Sequence, residues 1–177
     1  MRMLDNAGWG FESNCFVCER SNAHGLQIPF AHDEDRDAVI ADFAVGADFS
    51  GAPAYVHGGV VSAVLDEAMA WAAIAVGGTF ALTSELSVRF LRPARIGRTY
   101  HVEATLTDTT SQHIHAQAHL TDERDRICAS ATATLVPLGA AHAADAVGAE
   151  ITGSDAAFVA DNNRSAGAGN RAGLERT

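Results

Sequence analysis

The segment Tyr55-Val56-His57-Gly58-Gly59-Val60-Val61-Ser62-Ala63-Val64-Leu65-Asp66-Glu67 brings together residue types that can activate a carbonyl group. Two glycines open an oily helix, and a helix start offers free backbone N–H groups and a partial positive charge. Glycine there lets a ligand approach the backbone closely. Asp66 follows two turns later among apolar neighbours, where a carboxylate is costly unless it has a partner or a job. Gly59, Ser62 and Asp66 fall on one helix face, at i, i+3 and i+7. The chemistry implied is a carbonyl oxygen held at the helix tip and attacked with help from Asp66. The alternative is a buried acid satisfied by Ser62 and backbone donors. Glu67 points about 100° away from Asp66, so it is expected to pair with an arginine or face a subunit seam.

Arg89, Arg92, Arg95 and Arg98 form a basic cluster in an otherwise acidic chain. Arginine recognises phosphate through paired hydrogen bonds, and Arg92 and Arg95, flanking Pro93, are the expected ligand contacts. Arg89 and Arg98 are expected to be solvated. Cys15 and Cys18 have metal-like spacing with His24 nearby, but two cysteines and one histidine fall short of the four ligands of a structural zinc site. No metal is therefore assigned, and packed thiols are expected. His113, His115 and His119 share a strand face, but alternate residues lie about 7 Å apart, so a polar outer face is expected.

The elements that must position these residues are legible as patterns. A first strand is expected over Ala38–Val45, after a charged turn at His32–Asp37. The central helix should run from Gly58 to about Val76 and end at Gly77-Gly78. Four alternating segments follow, Ser84–Leu91, Thr99–Asp108, Gln112–Thr121 and Ile127–Val136. Their period of two marks strands with one buried face. In the last, Ile127, Ala129, Ala131, Ala133 and Leu135 are expected inward and Cys128 outward. The polar links Asp108–Ser111 and Asp122–Arg126 suit antiparallel hairpins. The helix has polar side chains only at Ser62, Asp66 and Glu67 after Val60, so it should be enclosed. Together these give an α+β fold, one long antiparallel sheet wrapped around a central helix. Residues 1–30 read as an irregular lead-in, 31–138 as the domain, and 139–177 as a flexible Ala/Gly-rich tail with a possible short helix at Asp155–Asp161.

Composition narrows the function classes. The chain has 177 residues, a net charge of −10, and 12 basic residues that are all arginine. Such acidity disfavours general nucleic-acid binding. No apolar run of signal-peptide type opens the chain, and the longest uninterrupted run, Ala68–Val76, is short for a bilayer. Three cysteines without a secretory context suit reduced thiols in a cytoplasm.

The ordered set His57-Gly58-Gly59…Asp66, then Thr83-Ser84-Glu85-Leu86-Ser87-Val88-Arg89-Phe90-Leu91-Arg92-Pro93-Ala94, preceded by Cys15-x-x-Cys18 and His24-Gly25-Leu26, resembles the hotdog-fold acyl-CoA thioesterases. The similarity covers roughly residues 15 to 137 and is greatest to the branch of the phenylacetate-pathway thioesterases. It implies hydrolysis of an acyl-CoA thioester of fatty-acid-type metabolism to free acid and coenzyme A. It implies no cofactor, since coenzyme A is part of the substrate. Asp66 would be base or nucleophile, Gly59 N–H the oxyanion donor, Gly58 the residue allowing close approach, and Thr83 a hydroxyl near the attacking water. His57 would contact substrate or fix the loop, and Ser62, Ser50, Arg92 and Arg95 would contact substrate. Relatives often carry Asn or Gln in the loop before the glycines; here it reads Phe49-Ser50-Gly51-Ala52-Pro53, and Ser50 substitutes only in part.

Gly59 and Asp66 lie about 10 Å apart along one helix, too far to share one thioester carbonyl. Family members solve this by pairing two antiparallel helices across a two-fold axis. A homodimer is therefore expected to form the site, with a tetramer as the further assembly open to it. The second reading is a non-catalytic hotdog module that holds acyl-CoA. A hydratase on the same fold needs an Asp and a His presented together before the helix, a pair not found convincingly here.

Overall fold

The computed structural model describes residues 1–6 and 13–148. Strands β1 (Arg2–Met3), β2 (Ala31–Asp33) and β3 (Ala38–Ala44) come first. A short 3-10 turn (Ala47–Phe49) leads into the small hairpin β4 (Ser50–Ala52) and β5 (Tyr55–Val56). Helix α1 (Gly58–Ala75) follows, then β6 (Ala81–Phe90), β7 (Thr99–Thr109), β8 (Ile114–Asp122), β9 (Ile127–Pro137) and helix α2 (Ala140–Val147). The seven-stranded sheet has the order β1-β2-β3-β7-β8-β9-β6, and every pairing is antiparallel. This is the hotdog arrangement expected from the sequence, with α1 wrapped by the sheet.

The apolar character of α1 is consumed in the core. Val61, Val64, Leu65, Ala68, Met69, Trp71, Ala72 and Ala73 are buried, and the helix packs on β3, β6, β7, β8 and β9. Its 18 residues have a mean hydropathy of 1.3, enough by length and composition for a membrane span, yet a core helix meets the same description. Tyr100, Val102 and Ala104 of β7 meet it from below, with Ile114, Ala116, Ala118 and Leu120 of β8. The alternation read from sequence accounts for these inward faces.

Four local readings change. The charged turn expected at His32–Asp37 begins as strand β2, with His32 buried against the sheet. Ser84 is an extra residue in β6: the register to β9 shifts between Thr83 and Glu85. The β8–β9 register also shifts, between Leu120 and Thr121, so Cys128 turns inward at 2% exposure and Ile127 outward at 38%. A bulge inserts one residue and swaps the faces beyond it, which alternation alone cannot reveal. In the stretch read as tail, α2 forms and buries Ala143. Asp155–Asp161 lies outside the described residues.

Candidate active site

His57 is the N-cap of α1, with extended backbone (φ −60°, ψ 135°). Its Nδ1 accepts a hydrogen bond from Gly59 N–H at 2.9 Å. Its carbonyl oxygen accepts from Val60 and Val61 N–H. Of the first N–H groups of the helix, that of Gly58 has no acceptor among the described residues, and that of Gly59 is engaged by the imidazole. The sequence assigned Gly59 N–H to an oxyanion; in this conformation that donor is capped. A Cβ at Gly59 would lie 3.0 Å from His57 Nδ1, so the glycine is what allows the imidazole to fold over the tip. The β4–β5 hairpin seats this tip. His57 N–H donates to Phe49 O, and a Cβ at Gly51 would meet His57 Cα at 3.0 Å. Ser50 is exposed in β4, in register with Val56.

Asp66 is half-buried on α1. Thr83 Oγ1, on β6, donates to its Oδ1 at 2.8 Å. No described group donates to Oδ2 and no described cation pairs with the carboxylate, so one oxygen is oriented and the other is open. Ser62 does not satisfy Asp66: its hydroxyl donates back to Gly58 O at 3.0 Å. The structure thus joins Asp66 and Thr83, which are distant in sequence.

Two adjoining cavities open beside the helix tip. The first, about 310 Å³, is lined mainly by apolar groups: Val56, Gly58, Val61, Phe90 and Leu120 among them. The second, about 470 Å³, is lined by Arg92, Arg95, Arg98, Arg124 and Arg126 together with the acids Asp122 and Glu123. Arg92, Pro93 and Cys128 border both. Arg95 lies over the Tyr55 ring at 5.2 Å, and Arg92 Nη1 donates to Ile127 O at 2.6 Å. Arg126 pairs with Asp122 at 2.6 Å, and its guanidinium holds that carboxyl down to about 2. Arg98, expected to be solvated, lines the arginine cavity, whereas Arg89 does not. Arg124 and Arg126 were missed: they sit in the β8–β9 turn and join the cluster only through strand pairing. Asp66 lines neither cavity. Within one chain, the helix tip and the carboxylate are not brought together.

Among the described residues, Glu67 meets no arginine. It approaches Cys15, with Cys15 Sγ and Glu67 Oε1 within hydrogen-bonding distance at 3.4 Å. Burial, with the Cys15 sulfur beside it, pushes the Glu67 carboxyl up to about 7. The Cys18 thiol and nearby backbone N–H groups favour a thiolate on Cys15, which is held at about 5, and Cys18 is raised by that same contact and by burial. His24 is exposed and takes no part. Of the strand histidines, His113 and His115 stack with ring centroids 6.4 Å apart on the exposed face, as a polar outer surface requires.

Comparison with known proteins bears on the whole arrangement. The thioesterase superfamily model matches residues 54–129. No curated protein sequence matches significantly. A thioesterase superfamily protein of solved structure is 24% identical with a TM-score of 0.64, covering 77% of this chain and 70% of its own. A phenylacetic acid degradation-related protein from Ralstonia eutropha is 26% identical with a TM-score of 0.56, covering 63% and 85%. A Streptococcus mutans protein solved bound to acetyl-CoA is 20% identical with a TM-score of 0.56, covering 58% and 82%. The matched segment spans the helix tip, Asp66, Thr83 and most of the sheet, so residues 54–129 are similar to the thioesterase superfamily and the chain shares the hotdog fold of these proteins.

Proposed function

We propose that the protein hydrolyses an acyl-CoA thioester at sites shared between two copies of the chain. The observation that carries this reading is the Asp66 carboxylate, held at one oxygen by Thr83 and open at the other. A carboxylate oriented by one hydroxyl and otherwise unpaired suits a general base or a nucleophile. The cavities support the substrate class. An apolar pocket beside the helix tip can take an acyl or pantetheine segment, and the five-arginine cavity next to it suits phosphates. The Streptococcus mutans neighbour with acetyl-CoA is consistent with such a ligand on this fold.

The oxyanion end is supplied by Gly58 and Gly59. Among the described residues Gly58 N–H is unengaged, and Gly59 N–H is released when the His57 ring turns aside for the substrate oxygen. A preorganised donor, as Gly58 N–H would be, contributes about 2.7–4 kcal/mol to the transition state. The acid end comes from the partner, because Asp66 lies about 10 Å along its own helix. The unpaired edge of β6 supports that partnership. Among the described residues it pairs only with β9 and exposes Leu82 (51%) and Phe90 (57%), with Leu91 (49%) just beyond its end. A long open edge with exposed apolar side chains favours pairing with another chain.

Replacing Asp66 with Asn should lower turnover roughly 10²–10⁴-fold while circular dichroism is unchanged. Thiol release from a panel of short, long and aromatic acyl-CoA esters measures it. Undiminished hydrolysis in the folded variant overturns the assignment. The loop at Phe49–Pro53, which lacks an amide side chain, motivates a second reading as a non-catalytic acyl-CoA-binding module. Tight ester binding by the wild-type protein with no thiol release favours that reading.

A further inference from the structure

One cluster of reactive side chains has no part in the proposed hydrolysis. Cys15 Sγ, Cys18 Sγ and a carboxylate oxygen of Glu67 all lie within 4.8 Å of one another. The two sulfurs come from the turn before β2, and the oxygen comes from the middle of α1. The turn is shaped around the first sulfur: Val17 N–H donates to Cys15 Sγ at 3.4 Å, and Glu19 N–H closes the turn on Cys15 O at 3.2 Å. Asn6 Nδ2 reaches Cys18 Sγ at 3.8 Å and Glu19 Oε2 at 3.3 Å. Amides aimed at a ligand sulfur orient it, as outer contacts do in metal sites. Glu67 has no cation beside it among the described residues, although the helix carries it into a half-buried position.

The donor set discriminates between ions. Magnesium and calcium take oxygen ligands, so two sulfurs exclude them as good occupants. Two thiolates and one carboxylate suit a borderline-soft, tetrahedral ion such as Zn²⁺, with Zn–S of about 2.3 Å and Zn–O of about 2.0–2.2 Å. Tetrahedral ligand atoms at such lengths sit roughly 3.5–3.8 Å apart, so the three atoms need only draw together slightly. We propose that Cys15, Cys18 and Glu67 bind one thiophilic divalent cation of the zinc type, with water as the fourth ligand. The ion ties the N-terminal turn to α1 at the residue beside Asp66. The cysteine spacing alone left the ligand set short; the missing donor is an acid placed 49 residues after Cys18 in the chain, which only the fold brings in.

The test is a Co²⁺ titration of the reduced full-length protein under anaerobic conditions, because tetrahedral cobalt reports its ligands in its absorption spectrum. One equivalent should produce thiolate-to-cobalt charge transfer and the intense visible bands of a tetrahedral ion, and Zn²⁺ should abolish both. Cys15→Ser and Cys18→Ser should each lose or strongly reduce the charge-transfer band. Cys128→Ser, which alters a core thiol outside the cluster, should keep it. Glu67→Gln should retain charge transfer but weaken binding roughly tenfold or more. Far-UV circular dichroism identifies any variant that fails to fold, and the wild-type titration stands without the variants. A reduced wild-type protein with no sulfur–cobalt band overturns the proposal. So does a band that survives the loss of both Cys15 and Cys18, or an affinity unchanged in Glu67→Gln. None of these readouts depends on thioester hydrolysis.

Discussion

The Thr83 hydroxyl settles which of Asp66's two oxygens faces a fixed donor. A hydrogen bond to a charged group contributes about 1.5–3 kcal/mol. If the contact orients Asp66 for attack, Thr83→Ala should lower kcat/KM roughly 10- to 150-fold, and Thr83→Ser should restore most of it by keeping the hydroxyl. Steady-state kinetics on all three proteins checks this, and equal loss in both variants would point to packing of the threonine methyl instead. Asp66 stood out in the sequence because, with Glu67 beside it, it placed an acid in an otherwise apolar helix on the face of Gly59 and Ser62. Thr83 was legible only through resemblance, since a threonine at a strand start has an ordinary structural reading. The partner of Glu67 was not legible at all. Helical geometry separates Glu67 from Asp66 by about 100°, but nothing local says that the N-terminal turn folds back onto that face.

Helix α1 is the element that organises the site, and its bounds, Gly58–Ala75, follow from the glycines before and after the apolar run. Its start is fixed by His57, whose Nδ1 satisfies Gly59 N–H. Losing an N-cap side chain costs about 0.5–2 kcal/mol. His57→Ala should therefore lower stability by about that amount in urea unfolding at fixed protein concentration, whereas His57→Asn should recover much of it. Hydrolysis should persist in both, because the imidazole caps the helix and no step of the proposed reaction takes a proton from it. A loss as deep as that of Asp66→Asn would make His57 a second base. The strands were equally legible where alternation is uninterrupted, as in β8. They were not legible where a bulge intervenes: the shift between Leu120 and Thr121 exchanges Ile127 and Cys128. A bulge is set by pairing with a neighbouring strand, so a single strand's pattern does not encode it.

At the scale of the molecule, the proposed hydrolysis calls for two copies of the chain. The helix tip borders the apolar cavity and, through Arg92 and Pro93, the arginine cavity, whereas Asp66 and Thr83 stand apart from both. In the proposed dimer, the edge of β6 left open among the described residues is the surface through which a second copy would bring its carboxylate to this tip. The proposal that each site takes its glycine amides from one protomer and its carboxylate from the other is tested most directly by mixing two inactive variants. Asp66→Asn removes the acid, and Gly59→Val blocks the tip, where even a Cβ crowds His57 Nδ1. A mixed dimer then holds one intact site and one doubly broken site. Random exchange of equal amounts should restore about a quarter of wild-type activity per site, measured as thiol release after unfolding and refolding together. Mixed dimers that form, as shown by native mass spectrometry, yet hydrolyse no thioester would contradict a shared site.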